Sequence, residues 1–306
     1  MRLAMQLAGR GSHARSAAKI LAHSMVPEST QGAPAVSRAP LWAPRDTPML
    51  ASVREMFAFT EALEELVKRD LKVRYKRSVL GILWTMLNPL LMMVITTIVF
   101  SNLFRGAIQN FPIYMLSGYV VWAFFSQATV SASSSILDSA GLARKIYLPV
   151  ALFPLASVIG ALINLLLSLV PLALLVAITG GRLSWALLFL PVSLAIMSVF
   201  SYGIGLMLAA ASVFFRDTLY TYQVLLIAWM YLTPIFYPPE IIPEQWAGII
   251  GINPVTHLVE LMRSPIYGGV LPDASHLLIS AAWAVVLVVL GWWYFQSSRA
   301  RFASYL

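Results

Sequence analysis

The chain has 306 residues, of which 59% are hydrophobic and only 11% charged, with a formal net charge of +8. A soluble domain carries roughly 25% charged residues, so the composition excludes an ordinary water-soluble fold. The positive charge does not point to nucleic acid: most of it lies before residue 78 or near the ends of apolar stretches, as in a membrane protein facing anionic lipid.

Residues 1–48 carry Arg2, Arg10, Arg15 and Lys19 with no acid until Glu28, and then Pro27, Pro34, Pro40, Pro44 and Pro48. They have the composition of a transit peptide and lack the continuous apolar core of a secretory signal. A poorly ordered cytoplasmic extension is expected, with residues 49–306 forming the membrane domain.

Ser52-Val53-Arg54-Glu55 matches a capping box, so a helix is predicted over about 53–76. It places Phe59, Ala62, Leu63, Leu66 and Val67 on one side. Glu61, Glu64, Glu65, Lys68, Arg69 and Lys72 fall on the other, with Glu64–Lys68 and Glu65–Arg69 spaced for ion pairing. An amphipathic helix lying in the inner interface fits this pattern, either as a passive anchor or as a moving part.

Behind the basic run from Lys68 to Arg77, the stretch from Val79 to Phe104 has no charge. About 20 apolar residues suffice to cross the hydrocarbon core as a helix, and Lys and Arg hold their end on the cytoplasmic side. Ile113–Leu137, Ile146–Gly181, Leu183–Phe215 and Thr218–Pro239 are also uncharged, and Ala274–Ser298 contains only His276. The prediction is an all-α polytopic protein with six spans, at about 79–104, 113–137, 148–178, 185–213, 218–237 and 274–297. Arg144, Lys145, Arg216, Arg299 and Arg301 then lie inside, against Arg105, Arg182 and Arg263 outside, which puts both termini in the cytoplasm.

The connector from Pro238 to Pro272 is mostly apolar but broken by Pro243, Pro254, Pro265 and several glycines. Short outer helices that re-enter the bundle fit it, as does a plain interfacial loop. His257 and Glu260 share a helix face there but lack a third metal ligand, which favours a surface polar pair over a metal site.

The chain has no cysteine, no phosphate-binding G-x-x-x-x-G-K-[ST] loop, no G-x-S-x-G and no H-E-x-x-H. The predicted spans hold no Asp, Glu, Lys or Arg in their interiors, which argues against an ion-coupled carrier or an intramembrane acid–base enzyme. No catalytic residue and no metal is expected, and any energy must come from elsewhere.

The run Arg69-Asp70-Leu71-Lys72-Val73-Arg74-Tyr75-Lys76-Arg77-Ser78-Val79-Leu80-Gly81-Ile82-Leu83-Trp84, ending at Asn88-Pro89, closely resembles the opening of type-2 ATP-binding-cassette export permeases. Arg144-Lys145-Ile146-Tyr147-Leu148-Pro149, Phe214-Phe215-Arg216-Asp217-Thr218, the segment from Leu232 to Pro238, and Asn253-Pro254 resemble further parts of that family, in order, over about residues 50–306. The nearest branch exports O-antigen, capsule and teichoic acid. The resemblance implies a homodimer in the bacterial inner membrane with two copies of a separate ATPase, which binds ATP and Mg, and a glycan on undecaprenyl pyrophosphate or another lipid as substrate. It implies no cofactor on this chain and no nucleic acid. It implies coupling to the ATPase through Arg144, Lys145, Tyr147, Arg216 and Asp217, and a gate helix bearing Lys68, Arg69, Lys72 and Arg74. A drug or lipid permease, or an envelope-assembly scaffold, is the alternative.

Aromatic rings stack on sugar faces, and Tyr222, Trp229 and Phe236 recur every seven residues in the fifth span, while Tyr119, Trp122, Ser126, Thr129 and Ser133 share a face in the second. With Trp84 these aromatics are channel candidates. The competing reading is that aromatics mark membrane interfaces and small polar residues pack helices.

Overall fold

A computed structural model of the chain describes residues 58–76, 78–100, 108–143, 148–179, 184–302 and 305. The extension at 1–48, the capping box, Arg105, Arg182 and the coupling candidates Arg144, Lys145 and Tyr147 lie outside the described residues.

Helix α1 (Thr60–Tyr75) opens with Glu61 and closes with Lys72 and Arg74, each charge favourable to its end of the helix dipole. Its apolar side meets protein: Leu66 and Val67 are buried in a cluster with Ile136, Leu152, Phe153 and Phe295, flanked by Phe59, Ala62 and Leu63. Lys68 pairs with Glu64 at 2.7 Å and Glu65 at 3.2 Å, and those bonds hold its ammonium pKa above the usual value. The expected Glu65–Arg69 pair does not form. Arg69 instead bonds Asp70 and reaches Ser139 Oγ at 2.9 Å, tying α1 to the far end of the next-but-one helix.

A tight turn follows in which Ser78 Oγ accepts from the Gly81 N–H at 3.0 Å. Gly81 sits at φ 53°, where a residue with a Cβ is strained. Helix α2 (Leu83–Phe100) carries Pro89 inside it. Proline has no N–H to offer the carbonyl four residues back, and that carbonyl, of Thr85, accepts from Ser168 Oγ at 3.0 Å.

Helix α3 (Phe111–Asp138) is the axis of the bundle, packed against α2, α5, α6, α7 and α9 defined here and below. The short α4 (Ala140–Ala143) follows, then α5 (Leu152–Ile178). A 3₁₀ turn over Trp185–Phe189, whose Ser184 Oγ accepts from the Ala186 N–H, leads into α6 (Leu190–Phe214). Helix α7 (Thr218–Tyr231) stops well short of the predicted end at 237, because Thr233-Pro234 breaks it. The connector from α7 to the last helix holds a 3₁₀ turn (Pro239–Ile241), α8 (Glu244–Ile252), α9 (Pro254–Arg263) and a π turn (Ser264–Gly268). Asn253 caps α9, its Oδ1 accepting from the Val255 N–H at 3.1 Å. Helix α10 (Ala274–Arg299) closes the bundle.

All regular elements among the described residues are helical. Five are long and apolar enough to cross a membrane: α2, α3, α5, the 3₁₀ turn with α6, and α10. Helices α6 and α10 make the closest approach. A Cβ on Gly203 or Gly291 would collide with the backbone of the facing helix, the small-residue contact by which membrane helices approach each other.

Candidate functional site

One cleft of about 650 Å³ opens along the bundle. Three helices present one face each to it at one-turn spacing. From α2 come Trp84 and Asn88, from α3 Tyr119, Trp122 and Ser126, and from α5 Asn164 and Ser168. The end of α1 adds Arg74 and Tyr75, and Gln127 stands beside Ser126. Trp84 is half exposed, whereas Trp122 is nearly buried, its ring edge-on to Phe125 at 5.6 Å. No carboxylate is among the lining residues. The cleft therefore offers ring faces, amides, hydroxyls and one guanidinium: a surface for binding, without a general-base carboxylate for chemistry.

Arg74 Nη2 donates to Ser131 Oγ at 3.1 Å and so spans from α1 to α3. The Tyr75 hydroxyl donates to Asn164 Oδ1 at 3.0 Å, and burial pushes the phenol pKa up, so it remains a neutral donor. Lys72 is exposed beside them, and Arg216 and Asp217 are exposed at the turn between α6 and α7.

The channel candidates divide. Trp84, Tyr119 and Trp122 come together in the cleft. Tyr222, Trp229 and Phe236 do not join them. The Tyr222 hydroxyl donates to Thr129 Oγ1 at 2.8 Å inside the core. Trp229 Nε1 donates to Asn253 Oδ1 at 2.9 Å, with its ring edge-on to Phe125. Phe236 lies beyond the end of α7, buried and stacked on Phe100 at 6.2 Å. The seven-residue spacing described one helix face only while α7 was assumed to run on past Tyr231. The hydroxyls of α3 divide likewise: Thr129 and Ser133 are buried, Ser133 bonded to Ser212 at 2.7 Å, and only Ser126 faces the cleft.

The first turns of α3 border a second polar centre, built around Arg263. Arg263, counted as an outer loop charge, is 2% exposed. Its Nη1 donates to Tyr114 Oη, Pro234 O and Glu260 Oε1 at 3.0–3.1 Å, and its Nη2 to Ile235 O at 3.2 Å. The guanidinium lies 3.9 Å over the Tyr114 ring, a cation–π contact. A Cβ at Gly118 would displace it. Four protein groups thus engage the terminal nitrogens of one buried cation, which in turn satisfies two carbonyls of the non-helical stretch after α7, while its Nε has no partner among the described residues.

His257 and Glu260 are not the surface pair that their spacing suggests. His257 is buried, with Nδ1 2.8 Å from His276 Nδ1 and Nε2 2.9 Å from Gly251 O, while Glu260 bonds Arg263. No group of three potential metal ligands occurs among the described residues.

Sequence reasoning did not single out Asn88, Gln127 and Asn164. The available signal was chemical: each is an amide within a predicted apolar span, where a polar group needs a partner.

Comparison with known proteins fits this arrangement. The chain is 35% identical to the O-antigen export system permease protein RfbA of Myxococcus xanthus, over 83% of this chain and 99% of the relative. It is 29% identical to the O-antigen export system permease protein RfbA of Klebsiella pneumoniae, over 80% and 95%. It is 26% identical to the polysialic acid transport protein KpsM of Escherichia coli, over 75% and 90%. Residues 61–267 match the model of the ABC-2 type transporter family, and the chain, with its apolar helical bundle, belongs to that family.

Proposed function

We propose that this chain is the membrane permease subunit of an exporter for a lipid-linked polysaccharide in the bacterial inner membrane. The observation that carries the reading is likeness over nearly the whole length of relatives that are named as polysaccharide export permeases. A cleft walled by Trp84, Tyr119 and Trp122, with amides and hydroxyls between the rings, suits a sugar polymer that must slide past many weak contacts. A drug permease has less need of such a hydroxyl- and amide-lined path.

In this reading six spans cross the membrane, with both termini inside. Helix α7 is the fifth, about 21 Å long at 1.5 Å per residue, and the stretch from Leu232 to Pro238 completes the crossing. Helices α8 and α9 re-enter from outside. Helix α1 lies along the inner surface with its apolar side on the bundle and the exposed Lys72 turned to the inner leaflet or a partner. Two copies of the chain enclose the path that one copy leaves open along one side. A separate ATPase, holding ATP and Mg, docks on the inner loops, with Arg144, Lys145, Tyr147, Arg216 and Asp217 as its contacts. Residues 1–48 stand apart from the permease domain at 49–306.

The test is deletion of the gene followed by complementation. Surface polysaccharide is lost, lipid-linked glycan accumulates inside, and the wild-type chain restores export. Restoration by Trp84→Ala and Tyr119→Ala together, at equal abundance, would remove the cleft from the path. Unchanged surface polysaccharide in the deletion strain would end the export reading. Failure to co-purify an ATPase would favour a scaffold.

A further inference from the structure

We infer that His257 and His276 form a proton-sensitive latch: it holds the connector helices to the first turn of α10 while the two rings share at most one extra proton, and it opens when both are charged. His257 is buried on α9, and His276 stands partly buried in the first turn of α10. Their ring centroids are 5.0 Å apart, with the two Nδ1 atoms at 2.8 Å. The other nitrogen of His257, Nε2, is 2.9 Å from the carbonyl of Gly251, in the last turn of α8. A chain of two hydrogen bonds thus runs from α10 through α9 to α8. The bond between the rings is the only hydrogen bond that joins α9 to α10 among the described residues.

Chemistry fixes where the protons sit. A carbonyl oxygen only accepts, so His257 Nε2 carries a hydrogen and donates it to Gly251 O. A neutral imidazole has one such hydrogen, so His257 Nδ1 is bare and accepts from His276 Nδ1. His276 Nε2 is then the open position. A proton there charges His276, leaves its Nδ1–H in place and makes the bond between the rings charge-assisted. A second proton has only His257 Nδ1 to go to. It sets N–H against N–H at 2.8 Å and one imidazolium against another, and the rings part. Little nearby offsets that second charge. Asp273, the cap of α10, is the carboxylate on the His276 side; the Ser275 hydroxyl donates to it and holds it below the usual carboxylate range, and the field of His276 adds to this. One carboxylate can steady one charged ring. On α9, Glu260 is engaged by Arg263, which also engages Tyr114 of α3. Asp138 and Arg299 stand at the far ends of α3 and α10, and Glu244 at the far end of α8 from Gly251. Tyr202 of α6 donates to Ala151 O, and Tyr267 of the π turn to Gln109 O. In the orientation proposed above, the latch loosens the connector in response to acidity outside the membrane rather than in the cytoplasm.

The experiment uses the purified full-length chain in lipid nanodiscs with EDTA present. The chain has no cysteine of its own, so introduced ones take spin labels cleanly. Labels go on Ile252→Cys and Leu278→Cys, both exposed, and the distance between them is measured from about pH 7.5 to about pH 5, the range in which imidazole charges. A second, longer distance is expected at the acid end in about half of the population or more, and it should vanish on return to neutral pH. His276→Asn keeps a donor where Nδ1 stood, cannot charge, and can turn its amide oxygen to a charged His257. His257→Gln keeps a donor toward Gly251 O and cannot charge. In each, the acid-induced change should fall to about a tenth or less of that in wild type. His276 is only partly buried, so its variant decides the matter if His257→Gln fails to fold. A second label pair, Val199→Cys and Val285→Cys on α6 and α10, should not respond to pH. A wild-type distance that ignores pH overturns the latch. So does an undiminished acid response in His276→Asn, or an equal change in the α6–α10 pair, which would mark general loosening.

Discussion

Arg263 and Asn164 are both polar groups set in apolar surroundings, one against the first turns of α3 and the other beside the cleft along its middle, and the fold engages them to different degrees. Arg263 is held on several sides: a carboxylate, a phenol and two backbone carbonyls take its terminal nitrogens, while its buried Nε lacks a partner among the described residues. Asn164 has its oxygen in use, and its buried nitrogen lacks a partner among the described residues. A buried polar group held on several sides is a clamp, and its removal costs stability. Two places along one helix thus differ in how fully the fold engages a buried polar side chain.

The largest effect should follow from breaking the clamp. Arg263→Met strands Glu260, Tyr114 and the carbonyls of Pro234 and Ile235, with an expected loss of about 3–5 kcal/mol, the usual result of breaking a buried ion pair. Abundance in membranes and the thermal midpoint in detergent should both fall. An unchanged midpoint would mean that the Arg263 centre is not a clamp at all.

Next comes Gly118→Ala, which pushes a methyl group into the guanidinium and should cost about 1–3 kcal/mol. The sharper form is the double variant with Arg263→Met. If the glycine exists to admit the guanidinium, the pair should cost no more than Arg263→Met alone. Full additivity would detach Gly118 from the clamp.

Tyr222→Phe removes one buried hydrogen bond, to Thr129, and should cost about 1 kcal/mol. Export per folded copy should not change, since that side chain faces the core. A transport defect at normal abundance would return Tyr222 to the path.

The smallest stability effect is expected for Trp84→Ala, about 0.5 kcal/mol or less because the ring is half exposed. Export should nevertheless drop, with Trp84→Phe milder because a ring face remains. A stability loss as large as that of Gly118→Ala would make Trp84 structural and blur the contrast between clamp and cleft.

Much of this was legible in the sequence, for physical reasons. The gap in charge from Val79 to Phe104 and its successors located the helices, because a lipid-facing segment cannot hide an ionised group. The limits are equally physical. Hydropathy ran on through Leu232–Pro238 and so lengthened α7, because an apolar window does not register where a Thr-Pro step breaks the backbone. Arg263 was counted as a loop charge because a tally of cations has no depth. Lys68–Glu64 was predictable from spacing, yet Arg69 abandoned its expected partner for Ser139, seventy residues away in sequence. In the cleft, Trp84, Tyr119 and Trp122 announced themselves as aromatics, whereas Gln127 and Asn164 did not, since an amide becomes conspicuous only when its missing partner is seen.

The meeting of Gly203 with Gly291 has a mechanical consequence. Two helices whose backbones touch without intervening side chains cannot rotate or slide past one another without steric conflict, so α6 and α10 form a single stiff strut. Helices α2 and α7 are braced on fewer sides, with exposed apolar side chains such as Leu91, Ile95 and Ile98 on α2 and Val224, Leu225 and Ile227 on α7. In the exporter proposed above, work delivered at one end would pass along the strut as a push and be taken up by the two less-braced helices. A bulky residue at either glycine would act like a wedge in a hinge pin, altering the stroke of the whole machine from a position that touches no cargo.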